Sequence, residues 1–273
     1  MSKSSQLSAA EFFGWKRHPF VDLPTTATSE VQLLKRDHDI FERAREFLKV
    51  GRSFAIIGTP GSGKTTLGRA IAHNLDARSW KPIWLPYSGC NRNGVFRVLA
   101  DKIGLELTRK GLPPLPKVQR HLAHLQKEPG SPSPVFIVDD AQHLEPESLM
   151  DLCAILAHPD DQSILATMIL IGDEILERTL RLTCHRAVSS RMVCLFRMEA
   201  LNPDDAIALV KARLDLAKAP KDLFEKEAIE LLATQSRGNR RELMNLATKL
   251  CVEAHIRTER TITAELVHTT TPM

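Results

Sequence analysis

The sequence predicts an α/β fold, a five-stranded parallel sheet covered by helices on both faces, followed by a small all-helical region. Three observations carry this reading. Short apolar runs that read as buried strands alternate with segments of helical periodicity between Val31 and Phe196. The first such strand, Ser53-Phe54-Ala55-Ile56-Ile57-Gly58, runs straight into a glycine-rich loop. After Asn202-Pro203 the strand signal stops and only helical spacing remains.

Taken in order, Leu33, Leu34, Ile40, Phe41, Ala44, Phe47 and Leu48 predict a helix over 31–50 with one buried face. Helix is predicted over 65–75, strand over 82–85 and helix over 95–103. Gly111-Leu112-Pro113-Pro114-Leu115-Pro116 is expected to be a loop, because proline has no N–H to give a helix interior or a central strand. A helix over 118–126 follows. The Pro/Gly/Ser linker at 129–134 leads into a strand over 135–138, then a helix over 148–157. Ile164 to Ile171 is the most apolar strand candidate, and Val193 to Phe196 supplies the fifth. Past Leu201, helices are predicted over 204–216, 224–235, 240–256 and 263–267.

Composition sets the class. The chain has 273 residues, 43% hydrophobic and 26% charged, which excludes wholesale disorder, a collagen-like fibre and a disulfide-stapled miniprotein. Lys and Arg number 37 against 33 acids, a net charge of +4, so contact with a polyanion is permitted but not demanded. Aromatic residues are only 5%, too few for a base-stacking platform. Cys90, Cys153, Cys184, Cys194 and Cys251 form no CxxC pair and give no zinc signature. No secretory signal and no membrane-length apolar run is visible, so a cytoplasmic protein with no membrane contact is expected.

Two motifs carry chemistry. Gly58-Thr59-Pro60-Gly61-Ser62-Gly63-Lys64-Thr65 matches G-x-x-x-x-G-K-[ST] at every fixed position, between an apolar strand and a helical pattern, with Thr66 next in line. Glycines let the loop aim several N–H groups at phosphate oxygens. Lys64 supplies a cation for the terminal phosphates and Thr65 a hydroxyl for Mg²⁺, at a helix N-terminus that itself favours anions. The second motif is Val135-Phe136-Ile137-Val138-Asp139-Asp140, a strand ending in acids. Asp139 is placed to hold Mg²⁺, and Asp140 to act as general base on an attacking water. The alternative is that these acids cap the next helix.

The order of these motifs, with Val138-Asp139-Asp140-Ala141-Gln142-His143-Leu144, Leu170-Ile171-Gly172-Asp173-Glu174 and Gly238-Asn239-Arg240-Arg241, resembles an AAA+ ATPase. The run Phe12-Phe13-Gly14-Trp15-Lys16-Arg17-His18-Pro19-Phe20 narrows the resemblance to the ExeA/TniB/TnsC-like group. The resemblance implies ATP and Mg²⁺ as cofactors and three regions: an N-terminal segment (1–30) near the nucleotide, an α/β core (31–201) and a helical lid (202–273). It implies a polar sensor at Asp173 and an arginine finger at Arg191 in Ser189-Ser190-Arg191, with Arg186 as second candidate. It also implies a lid arginine at Arg241, with Arg240 adjacent and able to exchange roles. Pro19 and Phe20 would line the base pocket, or else form a hydrophobic strap. The family's glutamate is replaced by Asp140, whose carboxylate sits about 1.5 Å short. Slow, switch-like hydrolysis is therefore expected.

For output, the resemblance implies a transposition regulator. Such a protein forms a homo-oligomer, ring or helical filament, on duplex DNA and recruits a transposase, with a targeting adaptor as a further partner. The alternatives are an ExeA-type secretion ATPase, another short DNA-processing AAA+ protein or a small-molecule kinase. ExeA-type chains normally continue past the lid into a membrane span, and no such segment is seen before Met273. Candidate backbone contacts to DNA are Arg92, Arg97, Lys102, Arg109, Lys110, Lys117 and Arg120, the alternative being a solvated basic surface. His121 and His124 read as packing or surface residues.

Overall fold

The computed structural model describes residues 8–21, 33–86, 92–107, 113–158, 160 and 163–270. In chain order its elements begin α1 (Ala9–Phe13), α2 (Lys35–Lys49), β1 (Ser53–Gly58), α3 (Lys64–His73), β2 (Trp80–Pro86), α4 (Arg92–Ile103) and α5 (Pro114–Lys127). Next come β3 (Ser133–Asp139), α6 (Pro146–Ala154), β4 (Thr167–Gly172), α7 (Glu174–Arg181), α8 (Arg186–Ser189) and β5 (Met192–Met198). The last are α9 (Pro203–Ala217), α10 (Lys226–Gln235), α11 (Arg240–Ile256) and α12 (Ala264–Thr270).

Two compact units emerge. One holds Lys35–Pro60 and Lys64–Met198. The other holds Glu199 onward with the described N-terminal residues and the short stretch Gly61–Gly63.

In the first unit the predicted five-stranded sheet is present, ordered β2-β3-β4-β1-β5 with every pairing parallel. The central strands carry no charge before their last residue and are buried on both faces. Phe54, Ala55 and Ile56 of β1 and Met168 to Ile171 of β4 have no exposed surface at all. Helices α4 and α5 close one face, with Phe96, Leu99, Val118 and Leu122 packed beside Phe136 and Val138 of β3. Because β3, β4 and β1 are adjacent and parallel, the segments after them leave from the same end of the sheet, where α/β folds gather their ligands.

Three sequence expectations are corrected. The expected proline loop is partly helix: Pro114 and Pro116 occupy the first turn of α5, with Pro113 as N-cap. Proline is tolerated there because first-turn N–H groups have no intrahelical acceptor anyway. Ile164 is not in β4 but exposed, in an isolated antiparallel bridge with Ala157. Leu165 and Ala166 both donate to Leu156 O, so their backbone is committed to the exit of α6 before β4 begins. Helix α6 accordingly ends at Ala154, short of the expected 157.

In the second unit, α9 to α12 enclose a core of Leu214, Phe224, Leu232, Leu243, Leu250 and Val267, joined by Phe12, Phe13, Trp15 and Phe20. Helix α1 starts with a reciprocal capping box between Ser8 and Glu11. Its far end is held by Lys16 N donating to Ala217 O (3.0 Å) and by Arg260, which donates to Phe12 O (2.9 Å) with its guanidinium over the Phe12 ring. Gly238 lies in the left-handed region (φ 75°), where its carbonyl accepts from Leu201 N at 2.9 Å.

Candidate nucleotide site

The loop after β1 is built as the motif requires. Gly61 and Gly63 have φ of 82° and 94°, angles that side-chain-bearing residues rarely adopt. Ser62 between them is buried, and its hydroxyl meets no partner among the described residues. Lys64 begins α3 and is largely buried, its ammonium donating to Gly58 O (2.7 Å) and Thr59 O (2.9 Å). The cation thus lies over the strand-to-loop turn where a phosphate chain would run. Thr66 is exposed on the first turn of α3.

Thr65 follows Lys64 on the helix, and its hydroxyl donates to Asp139 Oδ1 at 3.1 Å. The structure therefore brings together two hard oxygen donors from residues 74 apart in sequence. That donor set suits Mg²⁺, which binds through one or two protein oxygens while keeping several waters. Burial holds the Asp139 carboxyl above its ordinary range, and the neighbouring Asp140 charge pushes the same way. The Thr65 hydroxyl and, more weakly, Arg69 oppose that shift.

Asp140 is exposed and adopts a left-handed backbone (φ 52°). It stands at the N-cap of a 3-10 turn, Ala141–His143, yet its side chain makes no cap hydrogen bond. The carboxylate accepts instead from Gln142 Nε2 at 3.2 Å. Aspartate tolerates left-handed backbone better than glutamate, a constraint that the residue pattern alone does not display.

Asp173 directly follows β4 and caps α7, accepting from Ile175 N at 2.8 Å. Arg191 precedes β5, half-buried, and donates to Ala187 O at 2.9 Å. Arg186 is exposed at the start of α8.

In the helical unit, which includes Gly61–Gly63, Arg241 N donates to Gly61 O at 3.2 Å. A methyl group added to Gly61 would meet Asn239 Oδ1 at 2.3 Å, and one added to Gly63 would meet the Arg240 guanidinium at 2.9 Å. Of the two arginines that the resemblance offers, Arg240 has its guanidinium against Gly63, while the Arg241 side chain is exposed. Spacing does not distinguish adjacent arginines. Pro19 and Phe20 are both buried, with Phe20 edge-on to Phe224, as a hydrophobic strap packs.

Of the basic candidates, Arg97 and Lys102 are exposed on α4 and Arg120 on α5, while Lys117 is half-buried and Arg92 heads α4. Arg109 and Lys110 lie outside the described residues. His121 ties α5 to the end of α4 through Ile103 O (3.1 Å), and His124 is exposed beside Glu128. Among the described residues no group of three His, Cys, Asp or Glu could hold a metal, and no helix is long and apolar enough to cross a membrane.

A glycine-rich loop between strand and helix, with an acid at the end of a parallel strand one strand removed in the same sheet, defines a P-loop nucleotide-binding protein. A family model described as an AAA domain matches residues 30–180, just over half of the chain, and the chain belongs to that family. Membership implies nucleotide binding and hydrolysis. The chain is 27% identical over 238 residues to General secretion pathway protein A of Aeromonas hydrophila, covering 86% of this chain and 43% of that protein. It thus spans less than half the length of that relative.

Among solved structures, the fold is similar to the Aeropyrum pernix ORC2 protein (TM-score 0.72, 16% identity, covering 94% of this chain and 71% of that one). It is also similar to Cdc6p from Pyrobaculum aerophilum (TM-score 0.71, 15% identity, 91% and 70%). A more distant likeness is the RuvB Holliday junction branch migration motor of Thermotoga maritima (TM-score 0.53, 18% identity, 87% and 68%).

Proposed function

We propose that this protein is a slow ATPase that uses ATP and Mg²⁺ as a conformational switch. The Thr65–Asp139 hydrogen bond carries the reading, since it joins the two motifs at one point. Lys64 and the loop N–H groups hold the phosphates, and Thr65 and Asp139 hold Mg²⁺, which would supply electrostatic stabilisation of phosphoryl transfer. Asp140 accepts the proton of the attacking water. Arg240 or Arg241 closes on the nucleotide from the lid, Asp173 senses the terminal phosphate, and Arg191 reaches a neighbouring subunit's nucleotide. Steady-state ATP hydrolysis by wild type and Asp140→Glu tests the slow step. The longer acid is expected to turn over about tenfold faster. Equal or lower turnover in Asp140→Glu would show that reach does not limit the rate.

For output, we propose a regulator of DNA transposition that assembles as a homo-oligomer on duplex DNA and engages a transposase. The exposed Arg97, Lys102 and Arg120 on adjoining helices support a backbone contact. The 27% identity to General secretion pathway protein A favours a second reading, a secretion-associated ATPase. An ATP-dependent gel shift on random duplex separates them. Binding that weakens steeply with salt supports the DNA reading, and no shift at low salt removes it.

A further inference from the structure

We infer that Gln142 is a positioning residue that holds the Asp140 carboxylate in place for proton abstraction. Its amide bridges two elements of the site: Nε2 donates to Asp140 Oδ1 at 3.2 Å, while Oε1 is buried against Gly172, the last residue of β4. A methyl group built on Gly172 would come within 3.0 Å of that oxygen. The orientation of the amide follows from chemistry, because an amide facing a carboxylate must present its N–H side.

The arrangement is costly for packing alone. Oε1 has no hydrogen-bond donor within reach among the described residues, and a buried carbonyl without one destabilises a fold. An apolar side chain of similar shape would fill the space beside Gly172 without that penalty. The compensating contact is the charge-assisted bond to Asp140. That carboxylate is otherwise unused by the fold, since it does not cap the 3-10 turn it precedes. Gly172 also leads directly to Asp173, so the amide connects the end of β4 to the base.

This inference rests on the reading of Asp140 as the base. Its test compares wild type, Gln142→Met, Gln142→Glu, Asp140→Asn and the Gln142→Met/Asp140→Asn double variant of the full chain, in Mg²⁺-ATP hydrolysis and thermal unfolding. Gln142→Met keeps the shape, removes the unmatched carbonyl and removes the donor. Its kcat is expected to fall about tenfold with KM within twofold, while its thermal midpoint stays level or rises. Gln142→Glu, which sets a second carboxylate against Asp140, is expected to fall further. In the Asp140→Asn background Gln142→Met should change kcat by less than twofold.

A merely structural residue would instead lower stability along with rate, and would act equally in both backgrounds. Either of those results, or a Gln142→Met kcat within twofold of an active wild type, overturns the role of Gln142 and leaves the ATPase reading standing. Full activity of Asp140→Asn removes the base itself, and the positioning role with it.

Discussion

Replacing Gly238 with alanine should unfold the helical unit more readily than any comparable change at another positive-φ glycine there. Gly238 has φ 75°, and an added Cβ would lie 2.3 Å from Leu201 O and 2.8 Å from Leu201 N. Those are backbone atoms of a buried residue, itself held by donating to Gly238 O at 2.9 Å. They cannot rotate away as a side chain would. Gly14 provides the control, because it has φ 74° in the same unit with nothing within 4 Å of its added Cβ.

The left-handed conformation costs about 1–2 kcal/mol at either position. At Gly238 the loss of the Leu201 hydrogen bond adds about 1 kcal/mol. Steric displacement of backbone adds about 1 kcal/mol more. Gly238→Ala should therefore destabilise by about 3–4 kcal/mol, and Gly14→Ala by about 1–2 kcal/mol. Urea unfolding followed by circular dichroism and by Trp15 fluorescence, with Trp80 and Trp84 replaced by phenylalanine, measures both. Equal losses at the two sites would refute the steric reasoning, as would a loss below about 1.5 kcal/mol at Gly238.

Further outcomes concern the site. Asp139→Asn should abolish Mg²⁺-dependent ATP binding, seen as loss of the ATP-induced rise in thermal midpoint, and yet raise the midpoint of the ligand-free protein. The sign follows from burial: the folded-state carboxyl sits above its unfolded value, so its stabilising protonated form is lost as pH rises through that raised range. Ligand-free wild type should lose stability over that interval, and Asp139→Asn should not. Lys64→Ala should weaken ATP binding at least tenfold, checked by calorimetric titration, and should also lower ligand-free stability because two carbonyls lose their donor. Arg240→Ala should reduce ATP affinity more than Arg241→Ala, because its guanidinium is the one that lies against Gly63. Equal effects would place both arginines on the nucleotide.

Much of this architecture was legible residue by residue. The charge-free runs at Phe54–Ile57 and Met168–Ile171 leave no polar face, so they must be strands covered on both sides. The phosphate loop is equally local, since its function resides in backbone angles that only Gly61 and Gly63 reach easily. Where local reading failed, the backbone hydrogen bonding of the segment was responsible. Ile164 looks like strand, but the following backbone is bound to Leu156. Pro114 and Pro116 look like helix breakers, but their missing N–H groups fall in a first turn that needs none.

By itself, then, the sequence determined which groups are chemically available: a cation, a hydroxyl, paired acids and neighbouring arginines, each set at a fixed spacing. Tertiary structure decided which of them meet. Thr65 is 74 residues from Asp139, and their hydrogen bond exists because β1 and β3 flank β4 in one parallel sheet. The Arg240 guanidinium lies beside Gly63, while Arg241 meets Gly61 through its backbone N–H, although the two arginines are equivalent in the pattern. Such choices depend on distances between segments remote in the chain, and a one-dimensional pattern does not encode a distance.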